Sequence, residues 1–144
     1  ELGVLGVECL VQRFKELEVL GDEDVALVFE NKWGSAHSDL KHLNRLNKPS
    51  PSIFVYTLPN IVIGEIAIKN KWFGESVFLV SKNEMFKSSF EYTSNLFSLR
   101  KCKFEITGIV EQVGHKFKCG FALVGVWQEG DEVYNLEVIQ NIIK

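Results

Sequence analysis

Two apolar runs without a polar interruption, Val25-Ala26-Leu27-Val28-Phe29 and Val77-Phe78-Leu79-Val80, restrict this chain more than any other feature. Each is too short for an independent helix and lacks the alternation of a half-solvated strand, so each predicts an interior strand covered on both faces. The flanking segments supply the cover. Val7, Leu10, Val11, Phe14 and Leu17 recur at spacings of three and four, which predicts a packed helix ending near Gly21 with Gln12, Lys15 and Glu16 toward solvent. Gly21-Asp22-Glu23-Asp24 is a polar turn into the first strand. After the polar stretch Glu30 to Ser38, a short helix through Leu40, Leu43 and Leu46 starts at Ser38 or Asp39 and ends before the stiff connector Pro49-Ser50-Pro51-Ser52.

Ile53-Phe54-Val55-Tyr56-Thr57 is strand-like by its branched and aromatic content, and Pro59 is placed to open a helix running to about Lys71. From Ile61 to Ile68 that helix is apolar nearly all round and is expected to be buried, with Glu65 and Lys69 as a paired polar strip at i, i+4. Beyond the second apolar run comes a helix with faces Met85, Ser89, Tyr92, Leu96 and Phe86, Phe90, Phe97. Phe104 to Ile106 with Ile109-Val110 predicts a strand, and Phe121 to Trp127 another, antiparallel to it across Gly114-His115-Lys116. The tail from Val133 to Ile143 fits strand or helix equally. Buried strands alternating with helices predict one α/β domain over residues 1–144, a mixed sheet layered between helices, with the Pro59 to Lys71 helix buried against it.

Composition narrows the function. With 46% hydrophobic residues, a 24% charged fraction and a net charge of -3, the chain is too apolar for a disordered segment and has no general electrostatic pull toward nucleic acid or anionic membranes, so neither is an expected partner. No apolar run approaches the roughly 18–20 residues of a membrane span, and Glu1-Leu2-Gly3-Val4 lacks the basic stretch of a secretory signal. The start at Glu1 rather than Met fits a natural N-terminus lying upstream. Cys9, Cys102 and Cys119 are odd in number and form no CxxC, which fits a reducing cytoplasm better than a disulfide framework or a zinc knuckle.

Catalytic hardware is sparse. There is no GxGxxG, Walker A loop, GxSxG elbow or HExxH, and no cofactor is expected. His37 and His42 are five apart and do not share a helical face for a metal, and His115 falls in a hairpin turn; all three read as surface residues, and no metal site is expected. None of the three cysteines has a histidine nearby in sequence. Lys69, Lys71, Lys82, Lys87, Arg100, Lys101 and Lys103 crowd the middle third, as a solvated face or a local positive one.

One stretch is more specific. Ser50-Pro51-Ser52-Ile53-Phe54-Val55-Tyr56-Thr57-Leu58-Pro59-Asn60, followed by Gly64-Glu65-Ile66-Ala67 and Gly74-Glu75, resembles the N-terminal half of β-ketoacyl-acyl-carrier-protein synthases, which have the thiolase-like fold. In that family such a segment links a strand to a buried helix and precedes the catalytic strand. Val25 to Phe29 is similar to the family's preceding strand, and Ile106 to Glu111 to its later one, so the resemblance spans most of Val25 to Trp127. It implies a thiolase-like half. It also implies where a nucleophilic cysteine should stand, at the N-terminus of the helix after the second apolar run. Ser81-Lys82-Asn83-Glu84-Met85 stands there instead, with Asn83 or Glu84 nearest the nucleophile position. The family's two histidines come from a C-terminal half that 144 residues cannot contain, and its glycine-rich first strand is not seen.

The resemblance therefore implies a non-catalytic, chain-length-factor-like partner or accessory subunit in bacterial fatty acid, polyketide or polyene-type synthesis. The other readings are a 3-oxoacyl-acyl-carrier-protein synthase or similar thioester-processing enzyme whose site is completed by a partner chain, and a small structural domain. The expected partners are a second copy or a full-length ketosynthase, with acyl carrier protein as a further one. Family members pair the strand before the nucleophile across a two-fold axis, which would put Phe78 and Val80 at a dimer seam and Thr57, Leu58 and Asn60 on a loop reaching the mate's acyl pocket.

Overall fold

The computed structural model describes residues 2–44, 47–48, 50–125 and 133–142. Its centre is strand β1 (Val25–Asn31), buried at every position. Strand β2 (Ser76–Val80) pairs parallel with one side of β1 and strand β3 (Phe104–Val113) parallel with the other. Strand β4 (Lys116–Gly125) returns antiparallel to β3 through a two-residue turn, giving the order β2-β1-β3-β4. Gly114 supplies the positive φ, 61°, that this turn requires.

Helices cover both faces. α1 (Leu2–Arg13) and α4 (Ile61–Asn70) pack on one, where Val7, Val62, Ile63 and Ile66 meet Val25, Leu27, Phe29 and Ile106. α5 (Lys87–Ser98) lies on the other, where Leu96 meets Ala26 and Val28. α6 (Leu136–Ile142) packs on that side through Ile139, against Ile109 and Phe86. The alternation inside β1, invisible while every residue is apolar, is thus read by two different helix layers. A glycine sets the sheet's thickness at β3: the Phe121 ring fills the space above Gly108, where an added Cβ would lie 2.3 Å from it, and that ring also packs on Phe29 at 5.2 Å.

The expected layered α/β sheet is present, with its four strands in one sheet as far as Gly125; Trp127 lies outside the described residues. Several local expectations are corrected. The first helix begins at Leu2 and stops at Arg13; Phe14 leaves helical geometry at φ -114° and ψ 83°, and a 3-10 helix (Lys15–Val19) follows, so that Leu17 reaches the core by a turn. α2 (Ala36–Leu43) starts after Ser35, whose hydroxyl donates to Asp39, and leaves Leu40 and Leu43 exposed; Leu46 lies outside the described residues.

Ile53 to Thr57 is not a strand. Pro51 opens the one-turn helix α3 (Pro51–Val55), and Phe54, Val55 and Tyr56 are exposed. β-rich composition records a fit to a pleated surface, and among the described residues no strand pairs with this segment to provide one. Nor do Glu65 and Lys69 pair with each other: Lys69 reaches Glu8 on the adjacent α1, and Glu65 accepts from the Tyr56 hydroxyl at 3.4 Å. Most consequentially, β2 is an edge strand, half-buried through Val77, Phe78 and Leu79 rather than interior. Of the ambiguous tail, Leu136–Ile142 is helical, and Ile143 lies outside the described residues.

Candidate functional site

The chain runs from β1 to β2 by way of α4 on one face and from β2 to β3 by way of α5 on the other. The adjacent strands β1 and β2 therefore exit toward opposite faces at their carboxyl ends, the arrangement found at ligand crevices of open α/β sheets. A groove of about 650 Å³ lies there, over Asn31 of β1, Phe78 of β2 and Val110 of β3. Leu2, Leu5, Leu58, Ile61 and Phe117 supply apolar wall, and Glu65 and Glu111 carry negative charge; among the described residues no Lys, Arg or His lines it. Asn31, 4% exposed, holds the floor together: its amide nitrogen donates to the Gly34 and Val110 carbonyls, both at 3.1 Å, and its oxygen accepts from Gly34 N–H at 2.7 Å. Glu111 is fixed by accepting from Lys32 N–H at 3.1 Å.

Of the residues singled out from sequence, Leu58 and Phe78 both line this groove, although twenty residues separate them in the chain. Thr57 turns inward to its own loop, donating to the Phe54 carbonyl at 2.7 Å, and Asn60 is exposed at the start of α4 without a side-chain capping bond. Neither lines the groove. Val80 stands 54% exposed at the end of β2, beside Gly34. Asn83 and Glu84 lie exposed in the turn before α5, where Glu84 is left-handed at φ 50° and pairs with Lys87 at 2.8 Å.

Beneath α5 is a polar seam for which the sequence analysis assigned no role. Phe86, buried and left-handed at φ 69°, stands at the helix N-cap. Its N–H donates to both carboxylate oxygens of Glu30 at 3.1 Å, and the Ser89 hydroxyl donates to Glu30 Oε2 at 2.8 Å. Glu30 is wholly buried. A carboxylate from the end of β1 thus fills the anion-favouring N-terminus of α5. Glu105 of β3, also wholly buried, lies further along the same face. Thr93 Oγ1 is 2.5 Å from Glu105 Oε1 and 2.8 Å from the Ser89 carbonyl. A hydroxyl has one hydrogen, so Thr93 donates to the Glu105 carboxyl or to the Ser89 carbonyl, one at a time. Burial pushes that carboxyl up to about 8, opposed by the hydrogen Thr93 offers when Glu105 is ionised.

The signal for this seam is faint but real: Glu105 and Thr107 alternate with Phe104, Ile106 and Gly108, and Ser89 and Thr93 stand four apart on the helix that covers them.

The remaining candidates are scattered. Burial, with Glu105 and Glu75 nearby, pushes the Cys102 thiol up to about 11, and burial beside Cys9 raises Cys119, so both stay protonated at neutral pH. The His42 ring packs on Phe54 at 5.5 Å. Among the described residues, no three His, Cys, Asp or Glu side chains gather as metal ligands, and no helix is long and apolar enough to cross a membrane. Three members of the basic cluster are already paired, Lys69 with Glu8, Lys87 with Glu84 and Lys103 with Asp24.

No protein-family model matches the chain, and no curated relative matches it. Solved structures do. The ishigamide ketosynthase/chain length factor is similar with a TM-score of 0.62 and 15% identity, over 79% of this chain and 38% of that one. A ketosynthase in complex with its chain length factor from Xenorhabdus doucetiae is similar with a TM-score of 0.55 and 17% identity, over 76% of this chain and 45% of that one. At such identities the likeness shows a shared fold. The chain spans less than half the length of either.

Proposed function

We propose that this chain is a non-catalytic, ketosynthase-like partner subunit, chain-length-factor-like, that forms one thiolase-like domain over residues 1–144 and joins a second copy or a full-length ketosynthase in fatty acid, polyketide or polyene-type synthesis. The observation that carries this reading is Glu30 at the N-terminus of α5. In the resembling family that helix end holds a cysteine and stabilises an oxyanion. Here Ser81 to Met85 contains no cysteine, and the Phe86 N–H and Ser89 hydroxyl are bound to an internal carboxylate. The groove over Phe78 and Leu58 is apolar enough to take an acyl chain, which an acyl carrier protein would present. Thr57 and Asn60 then shape the loop that carries Leu58 instead of touching the chain.

Incubation with an acyl-thioester donor is expected to leave intact protein without a covalent acyl adduct by mass spectrometry. An acylated peptide from Ser81 to Met85, or a cysteine acylated with turnover, would transfer the reading to a thioester-processing enzyme.

A second expectation concerns β2. Its outer edge has no partner strand among the described residues and lies beside exposed Val80, with Phe54, Tyr56 and Leu58 also exposed. Val80→Lys is the clean probe, because Phe78 is partly buried against the core. The variant should lose assembly, by about tenfold or more in Kd, while its circular dichroism is unchanged. Co-purification from source cells followed by native mass spectrometry tests the mate. Recovery of neither a dimer nor a full-length ketosynthase complex would remove the partner-subunit reading.

A further inference from the structure

The line along which α1 meets β4 carries two of the three cysteines. Cys119 of β4 shares a sheet face with Phe117 and Phe121, at alternate positions along the strand. α1 lies close against that face because Gly6 has no side chain: a Cβ there would run into the Phe121 ring and stand 3.6 Å from Cys119 Sγ. Cys9 follows Gly6 by three residues on the same helix and is exposed. Side chains at that spacing are neighbours, with Cβ atoms about 5–6 Å apart, so a rotation of the Cys9 side chain and a small slide of α1 along β4 bring the two sulfurs to bonding distance. Burial raises the Cys119 thiol, and the nearness of Cys9 raises it further. Cys102 is placed differently, beside Ala26, Val28 and Leu96 under α5, on the opposite face of the sheet.

We propose that Cys9 and Cys119 form a thiol–disulfide site, in which a peroxide oxidises the exposed Cys9 and the half-buried Cys119 resolves it. Cys9 Sγ attacks the O–O bond and keeps one oxygen as a sulfenic acid, while the other oxygen leaves as water or an alcohol. Cys119 Sγ then attacks Cys9 Sγ, the S–O bond breaks, and the hydroxyl departs as water with the Cys119 proton; the two thiols have supplied two electrons to the peroxide. The new bond joins α1 to β4. Leu2, Gly3 and Leu5 of α1 and Phe117 of β4 line the groove, so oxidation ties two of its walls together. That bearing on the groove rests on the acyl-chain reading above, whereas the bond itself does not.

Hydrogen peroxide in slight excess, followed by alkylation, non-reducing digestion and mass spectrometry, tests the site on the full chain. The expected product is one disulfide within the chain linking the Cys9 and Cys119 peptides, formed equally in Cys102→Ser and absent from Cys9→Ser and Cys119→Ser. The oxidised chain should unfold about 5 °C or more above the reduced one, and dithiothreitol should reverse the difference. Cys9 carried on to sulfinic acid while Cys119 still alkylates, a link to Cys102, or a disulfide between two chains would each overturn the pairing. A dansyl-labelled acyl chain should leave the oxidised protein about fivefold more slowly than the reduced one, since the tied walls open less readily. Equal release from both forms would overturn the tie between the walls and keep the disulfide, whereas a label that binds neither form would overturn the acyl-chain reading and leave the thiol pair standing.

Discussion

Between about pH 5 and pH 9 the stability of this domain is expected to fall, and Glu105→Gln is expected to abolish most of that fall. The Glu105 carboxyl titrates near 4.5 when solvated and at about 8 in the fold. Between these values the folded state holds a proton that the unfolded state has lost, so each step upward in pH favours unfolding. The contribution is complete below the unfolded pKa and lost as pH rises through the folded one. The displacement corresponds to an upper bound of about 4–5 kcal/mol, which relaxation of the site will reduce.

The charge would appear against Thr93, Thr107 and Tyr134 on the seam, with Glu30 at its far end and Glu75 and Cys102 nearby, and none of these is a cation. Denaturant titrations at half-unit intervals measure the slope. Asp24, held below its usual range by Lys103, acts at the acid end, where stability is lost as pH falls through its folded pKa; Cys102 acts only above pH 9. Glutamine keeps the shape and a donor toward Thr93, so an unchanged slope in Glu105→Gln would show that another group carries the effect.

Glu30→Ala is expected to cost about 2–4 kcal/mol, because it strips the start of α5 of its acceptors and leaves the buried Phe86 N–H and Ser89 hydroxyl to find others. The loss should be local before it is global: amide exchange should rise first at Phe86 to Phe90, where a left-handed phenylalanine depends on its surroundings to stay in place. Glu30→Gln retains one acceptor oxygen and should cost less. Equal destabilisation by alanine and glutamine would mean that the carboxylate charge, rather than the two donors it binds, is what holds the helix. Neither variant is expected to create thioester chemistry, since emptying the anion site supplies no nucleophile.

Much of the architecture was legible because hydrophobic runs report burial directly. Val25 to Phe29 had to be covered on both sides wherever the chain went, and Gly114 had to sit in a turn, whatever lay around them. Ile53 to Tyr56 misled for the complementary reason: branched and aromatic side chains suit a sheet, but Pro51 had fixed the local geometry and no strand stood beside them. The site was legible only in part. Leu58 and Phe78 could be named from a motif, while Asn31, Glu111 and Leu2, which complete the groove, come from three distant elements and carry no local signal of meeting.

What the amino-acid sequence determined by itself is therefore everything set by neighbours along the chain: which runs are too apolar to face water, where proline and glycine turn the backbone, and that no cysteine stands between Ser81 and Met85. Only the tertiary structure decided which strand lies at an edge, since the runs Val25 to Phe29 and Val77 to Val80 are both unbroken apolar and neither says how many neighbours it pairs with. It also decided what two glutamates mean. Glu30 and Glu105 read as ordinary surface charges in a sequence, and become a helix cap and a proton-bearing carboxyl only because α5 folds down upon them and shuts out water. Periodicity is a one-dimensional property, whereas desolvation depends on every element that arrives from elsewhere in the chain.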